Sequence, residues 1–332
     1  MIELRDIRKY YPLQAGFFAR EDAMVYAVNG VGLRVEPGEI YGLVGESGCG
    51  KTTTARLIVR MERLTGGEIV FRSRDGEEFT VSTIDTGALR RLRSRIRYIF
   101  QDPARSLNPR MSIRDVLLSG YRYSPQWPGR ARAESEAREI LEEVGLQAGD
   151  LDRRPADFSG GQRQRISIAR ALITQPEVLV CDEVVSALDV SIQGQILRLL
   201  LRLRSERNLT LIFIAHDLAV VGYVSDRIGV MYRGVLVEEA PAQRLLVAHH
   251  HPYTQYLFHS IPSAPFAKRE ETDSVEVSEP NVAIAKQRAT RFERRSDPTQ
   301  NPVVDRSILT MDEVAPGHRV SRAFISEAEA YE

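Results

Sequence analysis

Apolar and polar residues alternate at Ile2, Leu4 and Ile7, and again at Val31, Leu33 and Val35. A period of two predicts two half-buried strands within residues 1 to 39. Leu13 to Ala23, between them, has no clear period and reads as a loop. Pro37-Gly38 marks a turn. Ile40-Tyr41-Gly42-Leu43-Val44 is then an unbroken apolar run of strand length, as expected of a buried strand. From Thr53 to Met61 the spacing suits a helix, with Ala55, Leu57 and Ile58 available for one face. Thr65-Gly66-Gly67 is a turn before a strand over Glu68 to Phe71. Leu89 to Arg97 carries Arg90, Arg91, Arg93, Arg95 and Arg97. An anion or RNA patch is one reading of these arginines. A solvated helix face leading into the strand Tyr98-Ile99-Phe100 is the preferred one.

The pattern changes over residues 103 to 155. Prolines at 103, 109, 125 and 128 break the first half. Arg130 to Val144 then places Ala133, Ala137, Ile140, Leu141 and Val144 on one helical face, and Gly145 stops it. Ser159 can cap a helix that runs through Leu172. Val178 to Cys181 is another apolar strand, followed by a helix from about Ser191 to Ser205 and a strand over Leu211 to Ala215. Two short strands, Asp226 to Met231 and Val235 to Glu238, flank a hairpin signal at Arg233-Gly234. Beyond Pro265 the chain is charged, proline-containing and aperiodic, and reads as a largely disordered tail. There is no internal repeat. Buried strands alternating with helices predict an α/β fold.

The chain has 332 residues and a formal net charge of zero, with Lys+Arg 45 against Asp+Glu 45. That length suggests about two domains, or one large domain with an appendage. Electrical neutrality gives no support to a nucleic-acid role, which would favour a basic domain or stripe. Cys49 and Cys181 cannot make a disulfide framework and fit a reducing cytosol. The charged start, Met1-Ile2-Glu3-Leu4-Arg5-Asp6, lacks a signal-peptide core. No apolar run approaches the roughly 18 residues of a spanning helix, so work at a membrane is expected to proceed from the side, through a partner.

The candidate chemistry sits at the ends of the predicted strands. Gly45-Glu46-Ser47-Gly48-Cys49-Gly50-Lys51-Thr52, followed by Thr53, fits the G-x-x-x-x-G-K-[ST] phosphate-binding pattern, with a strand before it and a helix after it. Glycines let successive N–H groups turn toward one anion, and the helix N-terminus adds partial positive charge. Lys51 supplies a point charge for the outer phosphates, and the Thr52 hydroxyl can ligate Mg²⁺. Ser159-Gly160-Gly161-Gln162 opens a second helix and forms a second anion site of the same kind. Asp182-Glu183 ends one buried strand, where ligands of α/β sheets bind. One acid can hold Mg²⁺ while the other polarises water. Gln101 and His216 each follow other predicted strands and join the same site if those strands are neighbours. Tyr10 and Tyr11 suit either an edge position or stacking on a purine. His249-His250-His251 suggests metal at first sight, but adjacent residues do not face one ligand sphere.

Taken together, these residues resemble the ATP-binding subunits of ABC transporters, and more narrowly the oligopeptide/dipeptide importer ATPases. The likeness spans residues 1 to about 240 through the phosphate loop, Gln101, Ser159 to Gln162, Asp182-Glu183, Ser186-Ala187-Leu188-Asp189 and His216. His251-Pro252-Tyr253-Thr254 resembles the C-terminal extension of the peptide type. The resemblance implies a P-loop NTPase core with an N-terminal antiparallel β subdomain, a helical insertion and a partly disordered C-terminal extension. Its implied limits are 1–245 for the ATPase domain, with a helical subdomain over about 103–170, then 246–265 for the extension and 266–332 for a flexible tail. It implies ATP and Mg²⁺, with Thr52, Gln101 and Asp182 on the metal, Glu183 as general base and His216 at the γ-phosphate. Tyr11 would stack on adenine, with Tyr10 the other candidate. Ser159 to Gln162 would close over ATP held by a second ATPase subunit, with Asp189 in the dimer loop. Further implied partners are integral-membrane permease subunits, docked on the helical insertion, and indirectly a solute-binding protein, with no nucleic acid. The implied location is the cytoplasmic face of the membrane. A soluble ATPase of the phosphonate-breakdown kind is the alternative. Phe158 stands where the signature usually has Leu, and Val184 where Pro commonly follows the catalytic Glu. No cysteine stands in the tail, so no iron–sulfur cluster is expected.

Overall fold

The computed structural model describes residues 1–12, 24–259 and 310–321. In chain order the first elements are β1 (Ile2–Pro12), β2 (Met24–Val35), β3 (Ile40–Val44), α1 (Lys51–Ile58), β4 (Gly66–Arg72), β5 (Glu78–Thr80), α2 (Thr86–Arg95) and β6 (Ile96–Ile99). Then come α3 (Pro103–Ser106), α4 (Ile113–Tyr121), α5 (Arg130–Glu143), α6 (Gly160–Leu172), β7 (Val178–Asp182), α7 (Val190–Arg207) and β8 (Thr210–Ile214). The chain continues through α8 (Leu218–Val224), β9 (Arg227–Tyr232), β10 (Val235–Pro241), α9 (Ala242–Val247), α10 (Pro252–His259), β11 (Met311–Ala315) and β12 (His318–Ser321).

Two sheets result. β2-β1-β4-β5 is antiparallel throughout, and its inward positions Ile2, Leu4, Ile7, Val31, Leu33 and Val35 are those that alternate in the sequence. The larger sheet has the order β11-β12-β10-β9-β3-β8-β7-β6. Its β6, β7, β8, β3 and β9 are mutually parallel, while β10 and the last hairpin are antiparallel. Successive residues of the central strands enter different cores. Ile40, Val44, Leu179, Cys181, Leu211 and Phe213 share one face, and Tyr41, Leu43, Val178, Val180, Ile212 and Ile214 share the other. Burial on both faces is why these strands read as continuous apolar runs.

The first core is roofed by α3 to α6 and two short 3₁₀ turns, all inserted between β6 and β7. α5 buries Ala133, Ala137, Ile140 and Leu141, the face its spacing marks. The arginine-rich segment is α2, capped by Asp85. It exposes Arg90, Arg91 and Arg93, while Arg95 pairs with Asp75, Glu77 and Glu177.

One expectation is untested and one differs from what forms. The loop expected over Leu13 to Ala23 lies outside the described residues. Within the stretch expected to be flexible tail, residues 311–321 form a hairpin that adds to the edge of β10. Polar pairing carries this docking. Glu238 and Glu239, both fully buried on β10, receive His318 and Arg319 of β12, the first at 2.7 Å from its ring Nε2. Buried carboxylates must be paired or hydrogen-bonded, and the returning hairpin supplies partners for both.

Candidate active site

β3 ends at Val44, and the chain then curls through Gly45, Gly48 and Gly50, all at positive φ. Two of these positions leave no room for a side chain. A Cβ on Gly45 would lie 2.1 Å from the Met231 carbonyl oxygen, and one on Gly50 2.2 Å from that of Ala27. The loop is therefore pressed between β9 and β2. The Gly234 N–H also donates to the Cys49 carbonyl at 2.8 Å. Glu46, Ser47 and Gly48 at the tip face solvent. α1 begins at Lys51 with no acidic residue in its first turn, so its positive N-terminal end is not offset. Lys51 is 4% exposed, and its Nζ donates to the carbonyls of Gly45 at 2.6 Å and Glu46 at 2.9 Å. Its ammonium is thus held on the rim of a loop whose amides and helix end both favour an anion.

The parallel register gathers the other candidates at this edge. Leu43 lies opposite Ile214, Ile214 opposite Asp182, and Cys181 opposite Ile99. The next residues along these strands are the phosphate loop, His216, Glu183 and Gln101. Asp182 is 3% exposed and accepts from the Thr52 hydroxyl at 3.1 Å. Its second oxygen accepts from the Tyr98 hydroxyl at 2.5 Å. Burial, and after it the Asp182 carboxylate, pushes Tyr98 far above the usual phenol range. The Gln101 amide donates to Glu183 at 2.5 Å, and His216 Nδ1 stands 4.0 Å from the other Glu183 oxygen. Glu183 itself has a φ of +49°, unusual for a residue with a side chain. Its N–H continues the ladder to Ile214 O at 2.9 Å, and its own carbonyl accepts from Ser186 N and Oγ at 3.2 and 2.9 Å. The turn after Glu183 is therefore closed by hydrogen bonds, with Val184 buried in the position that commonly holds Pro.

Ser159 caps α6 through a reciprocal box: Gln162 N–H donates to Ser159 Oγ at 3.4 Å, and Ser159 N–H to Gln162 Oε1 at 2.9 Å. Gly161 sits against Ile192, where a Cβ would come within 2.7 Å of Cγ2, so α6 and α7 approach closely there. Phe158 packs into the core beneath. Ser159 and Gln162 are exposed, as is Asp189 at the start of α7. Among the described residues, none of these is hydrogen-bonded to the phosphate loop of its own chain. Of the two tyrosines, Tyr10 packs at a tilt against Tyr26, with ring centroids 4.5 Å apart, and donates to Asn29 at 2.9 Å. Tyr11 instead donates to Glu62 and reaches Thr53 at the start of α1. Burial and Glu62 push the Tyr11 hydroxyl up to about 12.

Sequence reasoning missed two residues. Tyr98 lay in a strand read only as apolar, although a buried tyrosine hydroxyl needs a partner. Tyr253 accepts the Glu46 N–H of the phosphate loop at 2.9 Å. The three histidines precede it. His250 and His251 donate their backbone N–H groups to Glu238 at 2.8 and 3.0 Å. Cys49 and Cys181 are both buried thiols. No helix among the described residues is long and apolar enough to cross a membrane.

A family model for ABC transporters matches residues 28–186, and one for the oligopeptide/dipeptide transporter C-terminal region matches residues 237–297. The oligopeptide transport ATP-binding protein AppF of Bacillus subtilis (strain 168) is 41% identical over 325 residues, 97% of this chain and 96% of the relative. The dipeptide transport ATP-binding protein DppF of Lactococcus lactis subsp. cremoris (strain MG1363) is 42% identical over 307 residues, 92% of this chain and 89% of the relative. Among solved structures, the ATP-binding cassette MJ0796, dimeric and bound to ADP and Pi, superposes with a TM-score of 0.63 at 25% identity. That match covers 73% of this chain and 99% of MJ0796. With the phosphate loop, paired acids and capped α6 in one cassette fold, the chain belongs to the ATP-binding proteins of ABC transporters, in the branch that carries the oligopeptide/dipeptide C-terminal region, and is an ATPase of that family.

Proposed function

We propose that this chain hydrolyses ATP to energise an ABC importer of oligopeptides or dipeptides. It would act at the cytoplasmic face of the membrane, bound to permease subunits and served indirectly by a solute-binding protein. The observation that carries this is the gathering of the phosphate loop, Asp182-Glu183, Gln101 and His216 at one sheet edge. The peptide class rests on the oligopeptide and dipeptide transport for which AppF and DppF are named and on the matched C-terminal region.

In this reading the amides of the loop and of Thr52 and Thr53 cradle the ATP phosphates, with Lys51 on the outer ones and Tyr11 beside the adenine. The donor set around Thr52 fits Mg²⁺. Hydroxyl, carboxylate and amide oxygens are hard ligands, and Thr52 and Asp182 already meet at 3.1 Å. Thr52, Gln101 and Asp182 would hold the ion, Asp182 through water. When bound, Mg²⁺ neutralises charge on the β- and γ-phosphates. Glu183 accepts the proton of a water whose oxygen bonds to the γ-phosphorus. The bond from that phosphorus to the β–γ bridging oxygen breaks, leaving ADP and phosphate. His216, 55% exposed and 4.0 Å from Glu183, would contact the γ-phosphate.

Ser159, Gly160, Gly161 and Gln162 serve the ATP of a second subunit, with Asp189 at the interface between the two. Support comes from the exposure of Ser159, Gln162 and Asp189 and from the dimeric MJ0796 cassette. The test is Glu183→Gln in the assembled transporter. ATP binding should persist while turnover falls roughly a hundredfold or more, the usual worth of a general base. Unchanged hydrolysis would overturn the assignment.

A further inference from the structure

We infer that Tyr253 is a positioning residue of the phosphate loop, holding the Glu46 peptide in place while Lys51 engages nucleotide. The inference rests on the reading above that this loop binds the ATP phosphates. It concerns a side chain far along the sequence, in the C-terminal region.

The Glu46 peptide is used on both sides. Its N–H donates to Tyr253 Oη at 2.9 Å. Its carbonyl accepts from Lys51 Nζ at 2.9 Å and from the Cys49 N–H at 3.2 Å. Glu46 lies at the exposed tip, two residues before Gly48, which no neighbouring atom confines and whose backbone is permissive. When the Lys51 ammonium moves onto a phosphate, the carbonyl loses one of its two donors. The Tyr253 hydroxyl on the N–H side and the Cys49 N–H on the carbonyl side then remain to resist rotation of this peptide. With the Glu46 N–H committed to the buried Tyr253 hydroxyl, the later amides are the ones left for the anion.

Tyr253 is built to stay fixed. It is 1% exposed, and its ring lies 4.2 Å from that of Tyr232 on β9. Tyr232 follows Met231, whose carbonyl abuts Gly45. Both ends of the loop's first turn therefore refer to the same strand end. The start of α10 is pinned as well. Tyr253 N–H donates to His251 Nδ1 at 3.1 Å, and the N–H groups of His250 and His251 end on Glu238. Glu238 also takes His318 of the returning hairpin at 2.7 Å. Burial pushes the Tyr253 hydroxyl well above the usual phenol range, so the oxygen offered to Glu46 is neutral.

The test is Tyr253→Phe in the full chain, which keeps the ring and removes only the oxygen. Dissociation constants for ATP and ADP should rise about threefold to tenfold, the net worth of one neutral hydrogen bond. KM should rise with them, with kcat at saturating ATP and the thermal midpoint nearly unchanged. Affinities equal to wild type, with or without a lower midpoint, would overturn the inference and leave Tyr253 a packing residue. Amide hydrogen exchange of the wild-type protein without nucleotide is a second, independent measurement. The Glu46 amide should be protected, and should exchange faster in Tyr253→Phe. Exchange at the solvent rate in the wild type would overturn the inference. That readout needs no ATP, so it decides the role of Tyr253 even if the loop proves not to bind nucleotide.

Discussion

Acidification offers a direct test of how the C-terminal region is held. His251 is fully buried beside Glu238, and burial pulls its ring down to about 4, against which the Glu238 carboxylate raises it. Its ordinary value is 6.5. Between those two values the unfolded chain binds a proton that the folded chain refuses, so stability falls as pH falls. Integrating the linkage between pH 7 and pH 5 gives a loss of about 2 kcal/mol, and about 3 kcal/mol once both values are passed. Glu238 acts in a lower window. Burial alone would raise it, but His318, the two backbone N–H groups and Thr254 hold it below 4.5. Its contribution is present above its ordinary value and disappears only as pH falls through the lowered one. His251→Asn isolates the effect. Asparagine can still accept the Tyr253 N–H two residues on, and it does not titrate. Denaturant unfolding followed by circular dichroism at pH 7, 6 and 5 should show the wild type losing about 2 kcal/mol more than the variant. The comparison uses slopes, so the cavity left by the shorter side chain cancels. Parallel profiles would refute the claim that His251 is buried neutral.

Two further outcomes bear on the phosphate loop. Lys51→Ala should abolish measurable ATP binding in an equilibrium titration, and unchanged affinity would remove the loop from the mechanism. Gly50→Ala forces a side chain onto a backbone at φ +109° and to 2.2 Å from the Ala27 carbonyl. It should cost about 1–3 kcal/mol in unfolding free energy and weaken ATP binding with it; a variant equal to wild type in both would contradict the close approach of β2.

How legible these features are depends on how far apart the contributing residues lie. β3 and the phosphate loop are readable because five buried residues, then glycines and Lys51, follow one another without a gap. The buried face of α5 is readable for the same reason, since one helix carries the whole pattern. Small local errors have local causes. α1 starts at Lys51, ahead of Thr53, because Gly50 in the left-handed region caps it. β6 begins at Ile96, where alternation with Arg97 obscures the apolar run. β5 is three residues long, too short for any period to show.

The candidate site was legible in a different way. Gln101, Asp182, Glu183 and His216 are unremarkable singly, and each is visible only because it follows a buried strand. Parallel strands bring such residues to one edge whatever the helices between them do. The hairpin β11–β12 and Tyr253 lack that advantage. The hairpin is held by His318 and Arg319 on Glu238 and Glu239, polar residues that in sequence look like a solvated tail. A buried carboxylate on a strand gives no sign of which distant side chain will reach it. Tyr253 meets Glu46 across 207 positions, and nothing local to either residue encodes the meeting. Both long-range contacts converge on β10 and the end of β9. The C-terminal region is therefore tied to the same strand end that shapes the phosphate loop, and a change at its far edge has a continuous bonded route, from His318 through Glu238 and His251 to Tyr253, back to the Glu46 peptide of that loop.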